Sequence, residues 1–367
     1  MRPRAEELDA VQDQAREALA AWGLRAGEWR VAHLIPGMQG AMLRPVVEIE
    51  RLGGARYLVR RQPPDLTEDD IRFQQAFRRH LADAGLPVPS LLPRPDGHTY
   101  AIVGDGIYEL QQWAPGERFT TDGPLVDERI IAAGRTLGAL HQASADFAWE
   151  PHSWPEERSA PALAQAYTRL IREAAQHWQE RPALANGLER VADACEERID
   201  DAVNALAIRP GPPELHIHGD YQPHNLAFDG AAVAAIYDFD AAHRDQRIIE
   251  VAYSLCFFTG ARWTVDATVT PPLAEDGLDI QRAQRYLAAY GREAPPAIGE
   301  ATLLGDALAL AFPIVFANGA AEDLIFPDDY AGEVDEQDAL ARLDWADRFW
   351  LWLDRYRDAL TQAWQNG

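Results

Sequence analysis

Asp220, Asn225 and Asp238 are the residues of this chain best suited by type and spacing to do chemistry. Asp220 and Asn225 stand five residues apart in His218-Gly219-Asp220-Tyr221-Gln222-Pro223-His224-Asn225, and Asp238 follows thirteen residues later in Ile236-Tyr237-Asp238-Phe239-Asp240. A loop can aim Asp220 and Asn225 into one pocket, and the hairpin sequence NLAFDGAAVAAIYDFD can return Asp238 beside them. Carboxylate and amide oxygens are hard donors that suit Mg2+ better than a transition metal. If phosphates and water supply the remaining ligands, Asn225 and Asp238 suffice for the metal. Asp220 is then available to take a proton from an attacking hydroxyl. Taken alone, His-Gly-Asp reads first as an ordinary turn with Asp as a cap. His216, His218 and His224 raise the question of zinc. Alternation along an extended segment puts His216 and His218 on one face, yet no further His or Cys completes a set, and His218 reads as a structural residue orienting the loop.

The elements that must position these groups fall into two parts. The first alternates helix and strand signals: an amphipathic helix over 5–22, strands in WRVAHLIPG and AMLRPVVEIERLGGARYLVRRQ, and a hairpin in TYAIVGDGIYELQQW. A Thr67-x-x-Asp70 capping box opens a helix that stops at Gly85. After Ala114-Pro115-Gly116 the chain reads as mainly helical, over 126–146, 160–181, 184–207, 244–257, 278–290, 299–318 and 335–364. Short strands around the Asp220 motif interrupt it. The expectation is an α+β protein, with a small antiparallel-sheet lobe over residues 1–112 and a larger helical lobe over 113–367, and with chemistry in a cleft.

Composition narrows the function. All 34 basic residues are Arg, because the chain has no Lys, and against 58 Asp and Glu the net charge is −24. A Schiff-base lysine and a Walker A lysine are therefore both excluded. No basic footprint for nucleic acid or anionic membrane is present. Cys195 and Cys256 have no metal-ligand or CxxC spacing, which fits a reducing compartment. The charged N-terminal stretch lacks an apolar signal segment. The most apolar run, ALALAFPIVFANGAA, reads as a buried helix. A cytoplasmic protein, monomer or homodimer, is expected.

The paired motifs resemble the HGDxxxxN and (I/V)DFD pair of the aminoglycoside phosphotransferase superfamily, which includes choline kinases and a class of homoserine kinases and has a protein kinase-like fold. RYLVRR, GLPVP, YELQQWAPGERF, AGRTLGALHQA and RIIEVAYSL resemble other family segments in the same order, over residues 30 to 260. The resemblance implies a two-lobed kinase using ATP and Mg2+ on a small-molecule hydroxyl: an amino alcohol, a homoserine-like compound, a sugar or an aminoglycoside. It implies Asp220 as catalytic base or acceptor-orienting residue, Asn225 and Asp238 as Mg2+ ligands, Arg60 on the ATP phosphates, and the backbone from Gln111 to Trp113 at adenine. The phosphate-covering loop falls in LIPGMQGAML, where Gly37 and Gly40 replace a fuller glycine pattern.

A further departure concerns charge. The family's first helix offers a Glu to the phosphate-holding cation, and Gln74 or Gln75 stands in that place here. Asp240 is either a second metal carboxylate or a turn cap. Glu250 is expected on a solvated or helix-pairing face. Trp345, Phe349, Trp352, Tyr356 and Leu360 recur at helical spacing and read as core. The acidic stretch from Ala320 reads as a solvated loop; if it lined the acceptor pocket it would favour a cationic alcohol. A protein Ser/Thr kinase and a non-catalytic nucleotide-binding module are the competing functions.

Overall fold

A computed structural model describes residues 5–367, apart from 26, 36–37, 40–41, 44–45, 52, 150–155, 208–210, 265–268 and 330–333. Gly37 and Gly40 lie outside the described residues. The chain forms two compact units, Met1–Pro115 and Gly116–Gly367.

The first unit runs α1 (Ala5–Ala20), β1 (Trp29–Ile35), β2 (Met38–Gln39), β3 (Met42–Leu43), β4 (Val46–Arg51), β5 (Arg56–Arg61), α2 (Glu68–Asp83), β6 (Tyr100–Val103) and β7 (Gly106–Gln112). Five of these strands make one antiparallel sheet in the order β1-β4-β5-β7-β6. Alternation sends Val47, Ile49, Val59, Tyr108 and Leu110 to one face, where they pack with Ala15, Ala18, Leu19 and Trp22 of α1. The other face carries Glu109 and Gln111, bonded to Gln75 and Arg78 of α2. Thr67 caps α2 as the capping box requires: its hydroxyl accepts from Asp70 N (3.2 Å), and Asp70 Oδ2 accepts from Thr67 N (2.8 Å).

The second unit runs α3 (Val126–Ser144), α4 (Ala160–His177), α5 (Pro182–Leu206), β8 (Glu214–Ile217), β9 (Leu226–Asp229), β10 (Ala232–Ile236), β11 (His243–Gln246), α6 (Arg247–Gly260), α7 (Ile280–Glu293), α8 (Leu304–Val315), α9 (Glu322–Ile325) and α10 (Glu336–Gln365). Two small antiparallel ladders, β8 with β11 and β9 with β10, sit among the helices. The residues expected to open a helix at 244 instead form β11. Its backbone pairs with β8 from His243↔Ile217 to Gln246↔Glu214, so α6 begins only at Arg247. The helix expected over 299–318 is also divided. It starts as a 3-10 turn at Glu300–Leu303, carries Pro313 inside α8, and ends as a π turn over Phe316–Ala320. Proline cannot donate to the preceding turn, which loosens the ladder ahead of the wider turn. Glu300–Ala320 is apolar and long enough to cross a membrane, and 78% of its apolar window is buried inside the protein. Phe312 packs there at ring-centroid distances of 4.3 Å from Phe349 and 4.7 Å from Trp350. Trp345, Phe349, Trp352 and Leu360 of α10 are buried and Tyr356 is half-buried, so the stripe is core except at Tyr356.

Candidate active site

The two small ladders of the second unit hold the chemistry-bearing residues. β8 ends at Ile217 and releases the loop His218–Gln222; a 3-10 turn over Pro223–Asn225 leads into β9. The β9–β10 hairpin closes at Leu226↔Ile236, and Tyr237 N then donates to Asn225 O (2.8 Å). That bond carries Asp238 back beside Asn225. Gly219 lies at φ +81°, and a Cβ there would stand 2.1 Å from Ala241 O. Only glycine permits this approach of the two loops. Asp238 is held at φ 63°, the only non-glycine residue with positive φ among those described. A strained backbone at a candidate ligand is typical of a site whose surroundings fix it in place.

Asp220, Asn225 and Asp238 are thus brought together. Asp220 Oδ1 accepts from Gln222 Nε2 (2.7 Å) and Tyr253 Oη (2.5 Å), and Oδ2 accepts from Asn225 Nδ2 (2.8 Å). Asn225 Nδ2 also donates to Asp220 O (2.8 Å). Burial and the negative charge of Asp238 push the Asp220 carboxyl up to about 7, against the hydrogen bonds from Tyr253, Asn225 and Gln222 that favour its ionised form. This set fits a small hard cation. Both amide bonds of Asn225 run to Asp220, so its Oδ1 faces away from that carboxylate. Asp238 is close enough for its charge to oppose ionisation of Asp220, an opposition a divalent cation would relieve.

The loop has a buried support that the sequence does not reveal. Glu250 of α6 is 2% exposed. Its Oε2 accepts from His218 N (3.1 Å) and bonds His141 Nε2 of α3 (2.8 Å), while Oε1 accepts from Gly219 N (2.5 Å). His141 Nδ1 continues to Tyr290 Oη at 2.8 Å. Burial by itself would raise the Glu250 pKa, but the hydrogen bond and charge of His141 and the Gly219 N–H outweigh it and hold the carboxyl below its ordinary value. Glu250 is therefore not solvated: it joins α6 to α3 and to the backbone of the Asp220 loop. The only prior signal was a charged residue inside the apolar run RIIEVAYSL. His218 Nε2 bonds Tyr237 O (2.7 Å) and its Nδ1 accepts from Asp220 N (3.2 Å), tying the two loops together. His216 sits on β8 with its ring edge-on to Phe147 at 5.0 Å. Asp240 is buried at the end of the same loop.

In the first unit, Arg60 pairs with Glu109 across β5 and β7 and shares the α2-side face with it. Arg61 lies on the opposite face, where it meets Asp105 at 2.8 Å. Gln75, one of the two residues expected in the place of the family's Glu, is bonded to the sheet and to Thr99. Its Nε2 donates to Glu109 Oε1 (2.6 Å), and its Oε1 accepts from Thr99 (2.5 Å). Gln74 is buried on the same helix. The buried carboxylate of this face comes from the strand, and helix α2 supplies the cation: Arg78 Nη1 meets Glu109 Oε2 at 3.0 Å, and Arg78 Nη2 meets Gln111 Oε1 at 2.9 Å. Neither Glu109 nor Arg78 stood out in the sequence. Beyond Gln111, Gln112 N donates to Ser90 O (2.8 Å) and Trp113 N to Arg56 O (3.2 Å), and the Arg56 guanidinium lies 3.8 Å from the Trp113 ring centroid.

Comparison with known proteins gives the family and the fold. Residues 40–301 match the phosphotransferase enzyme family. The chain is 29% identical over 243 residues to a homoserine kinase of Burkholderia lata, an alignment covering 61% of this chain and 62% of the relative. The chain spans about half to two thirds of the length of the curated relatives that match it first. In fold it is similar to an amicoumacin kinase solved with AMP-PNP and Ca2+, with a TM-score of 0.62 at 14% identity over 98% of this chain and 96% of that one. It is likewise similar to a microcompartment-associated aminopropanol kinase, with a TM-score of 0.57 at 15% identity over 95% of this chain and 98% of that one. The chain belongs to the phosphotransferase enzyme family, and its fold is protein kinase-like.

Proposed function

We propose that this phosphotransferase-family member moves the γ-phosphoryl group of ATP to a hydroxyl of a small molecule, with Mg2+. The observation that carries the reading is the convergence of Asp220, Asn225 and Asp238 on one strained, buttressed loop pair. Asp220 orients the acceptor hydroxyl and takes its proton late. Its Oδ1 already receives two donors, Gln222 and Tyr253, so an incoming hydroxyl takes the place of one of them. Asn225 Oδ1 and the Asp238 carboxylate would hold Mg2+, which when bound would supply neutralising charge for the phosphate oxygens. Arg60 fixes the ATP phosphates through its planar fork of donors. The backbone from Gln111 to Trp113 meets adenine. Catalysis of this kind is positioning and electrostatics, which is why so many contacts serve to hold one carboxylate still. The homoserine kinase and aminopropanol kinase relatives point to a small amino alcohol as the first acceptor to try, with sugars and aminoglycosides next.

The test is Mg2+-dependent ADP release from ATP across a panel of small alcohols, amino alcohols, sugars and aminoglycosides, with Asp220→Asn as control. Acceptor-dependent release that falls at least a hundredfold in the control supports the reading. Release that survives the substitution refutes the role of Asp220, and a flat panel refutes the small-molecule acceptor.

A further inference from the structure

Helix α6 meets the Asp220 loop twice from one side. Glu250 accepts from the loop backbone at His218 N and Gly219 N. Tyr253, three residues on and so on the same side of the helix, reaches the side chain. Its hydroxyl donates to Asp220 Oδ1 at 2.5 Å. Ile249 and Tyr253 are half-buried, and every other residue of α6 is buried. Phe257, one turn further along and 1% exposed, stands edge-on to the Tyr253 ring at 4.9 Å. Trp263 packs in turn against Phe257 at 5.8 Å. The phenol is therefore braced from the core, with its hydroxyl directed at the carboxylate.

A carboxylate oxygen has two acceptor positions. Both positions of Asp220 Oδ1 are taken by the chain itself, from Gln222 Nε2 at 2.7 Å and from Tyr253 Oη. The two donors differ in kind. Gln222 lies two residues from Asp220 in the same loop and offers an amide N–H. Tyr253 comes from a separate helix and offers an O–H, at the distance of a strong bond from a hydroxyl to a carboxylate. An alcohol that is to hand its proton to Asp220 must make that same bond. Exchange of the phenol for an alcohol leaves the number of bonds to Asp220 unchanged, and the rest of the alcohol adds binding energy that favours the exchange. A water molecule has no such remainder, and so lacks the means to expel the phenol.

We infer that the Tyr253 hydroxyl is a built-in occupant of the acceptor position on Asp220, displaced by an alcohol and not by water, so that Tyr253 selects alcohol over water as phosphoryl acceptor. This inference rests on the proposed function and assigns a specificity role within it. The reaction that Tyr253 suppresses is hydrolysis of ATP. In that reaction a water oxygen bonds to the γ-phosphorus, and the bond from that phosphorus to the β,γ-bridging oxygen breaks. The water proton passes to Asp220, and ADP and phosphate leave. While the phenol holds Oδ1, no water is oriented there for this attack.

The experiment compares the full-length wild type with Tyr253→Phe, which keeps the ring and its contact with Phe257 and removes only the hydroxyl. Phosphate release from Mg-ATP with no alcohol present is expected to rise about tenfold, the weight of one hydrogen bond to a charged group. Homoserine and 1-amino-2-propanol are then titrated by NMR with neither ATP nor Mg2+ present. Binding is expected to tighten about threefold or more, because no phenol has to be displaced. In transfer to the same two alcohols, KM is expected to fall by a similar factor while kcat stays within about twofold, a split that simple loss of structure does not produce. Phe257→Leu loosens the ring without touching the hydroxyl and is expected to raise hydrolysis about threefold, which keeps the inference testable if Tyr253→Phe does not fold. Unchanged hydrolysis in Tyr253→Phe, weaker alcohol binding in that variant, or phosphate found by mass spectrometry on Tyr253 of the wild type overturns the inference and leaves the kinase reading intact. Absence of ADP release with every alcohol and in Tyr253→Phe, alongside confirmed Mg-ATP binding, overturns the proposed function and this inference with it.

Discussion

Replacing Glu250 by Gln tests whether the Asp220 loop is held from behind. The carboxylate serves three donors: His218 N, Gly219 N and His141 Nε2. Gln keeps one oxygen. Its best orientation leaves that oxygen facing His218 N and His141 and turns the new NH2 toward Gly219 N. One buried N–H then loses its acceptor, at a cost of about 1–3 kcal/mol. The two remaining bonds lose their charge assistance, about 0.5–1 kcal/mol each. Relief from burying a charge offsets part of this, so a net loss of ~2–4 kcal/mol is expected. That is a large share of a typical stability but less than all of it. Urea denaturation at pH 7 measures the loss as a shift in midpoint at unchanged slope. The same change frees the Asp220 backbone, so kcat should fall about tenfold to a hundredfold, the cost of a misplacement near 1 Å. A double-mutant cycle with His141→Gln should give a coupling of about 1 kcal/mol or more. The pH sign follows from the depressed Glu250 pKa. Its stabilisation is present above the ordinary carboxylate value and is lost as pH falls through the folded value. The gap between wild type and variant should therefore persist from neutral pH down to about 4 and close below it. A destabilisation under about 0.5 kcal/mol with unchanged kcat would refute the buttress.

Other predictions follow from the same contacts. Gly219→Ala must push the loop off Ala241 O, and activity should fall by about two orders of magnitude; a variant with normal kcat would show that the loop approach is not needed. Arg78→Leu leaves the Glu109 carboxylate buried with a lost cation and should cost ~3–5 kcal/mol, most of it recovered in the Arg78→Leu, Glu109→Leu double variant, as read by thermal melting. Burial, with Arg244 and His243 nearby, pushes His216 down to about 4, so the unfolded chain takes a proton below about 6.5 that the folded one refuses. Stability is then lost as pH falls from about 6.5 toward 4, and His216→Gln should flatten that fall by about 1 kcal/mol at pH 5 once solvent exposure is allowed for, measured by denaturation at pH 7 and pH 5.

The residues whose meaning is local were legible in the chain itself. The Thr67–Asp70 box fixes where α2 begins because donor and acceptor are three residues apart. Asp220, Asn225 and Asp238 could be grouped because one short hairpin separates them, and a hairpin's ends must meet. The apolar stripe of α10 could be assigned to core because helical spacing alone puts Trp345, Phe349 and Trp352 on one side. The residues whose meaning is their partner were not legible. Glu250 in an apolar helix looks the same whether it faces water or a histidine 109 positions away. Gln74 or Gln75 could be set in the place of the family's Glu, but nothing in the spacing told that Gln75 would bond the buried carboxylate of Glu109 on the strand. The run ALALAFPIVFANGAA gave no sign that Pro313 would be followed by a π turn, because that widening depends on what α4 and α10 pack against it. Short-range geometry is written in spacing. The sign and partner of a buried charge are set only when elements distant in sequence are brought within a hydrogen bond of one another.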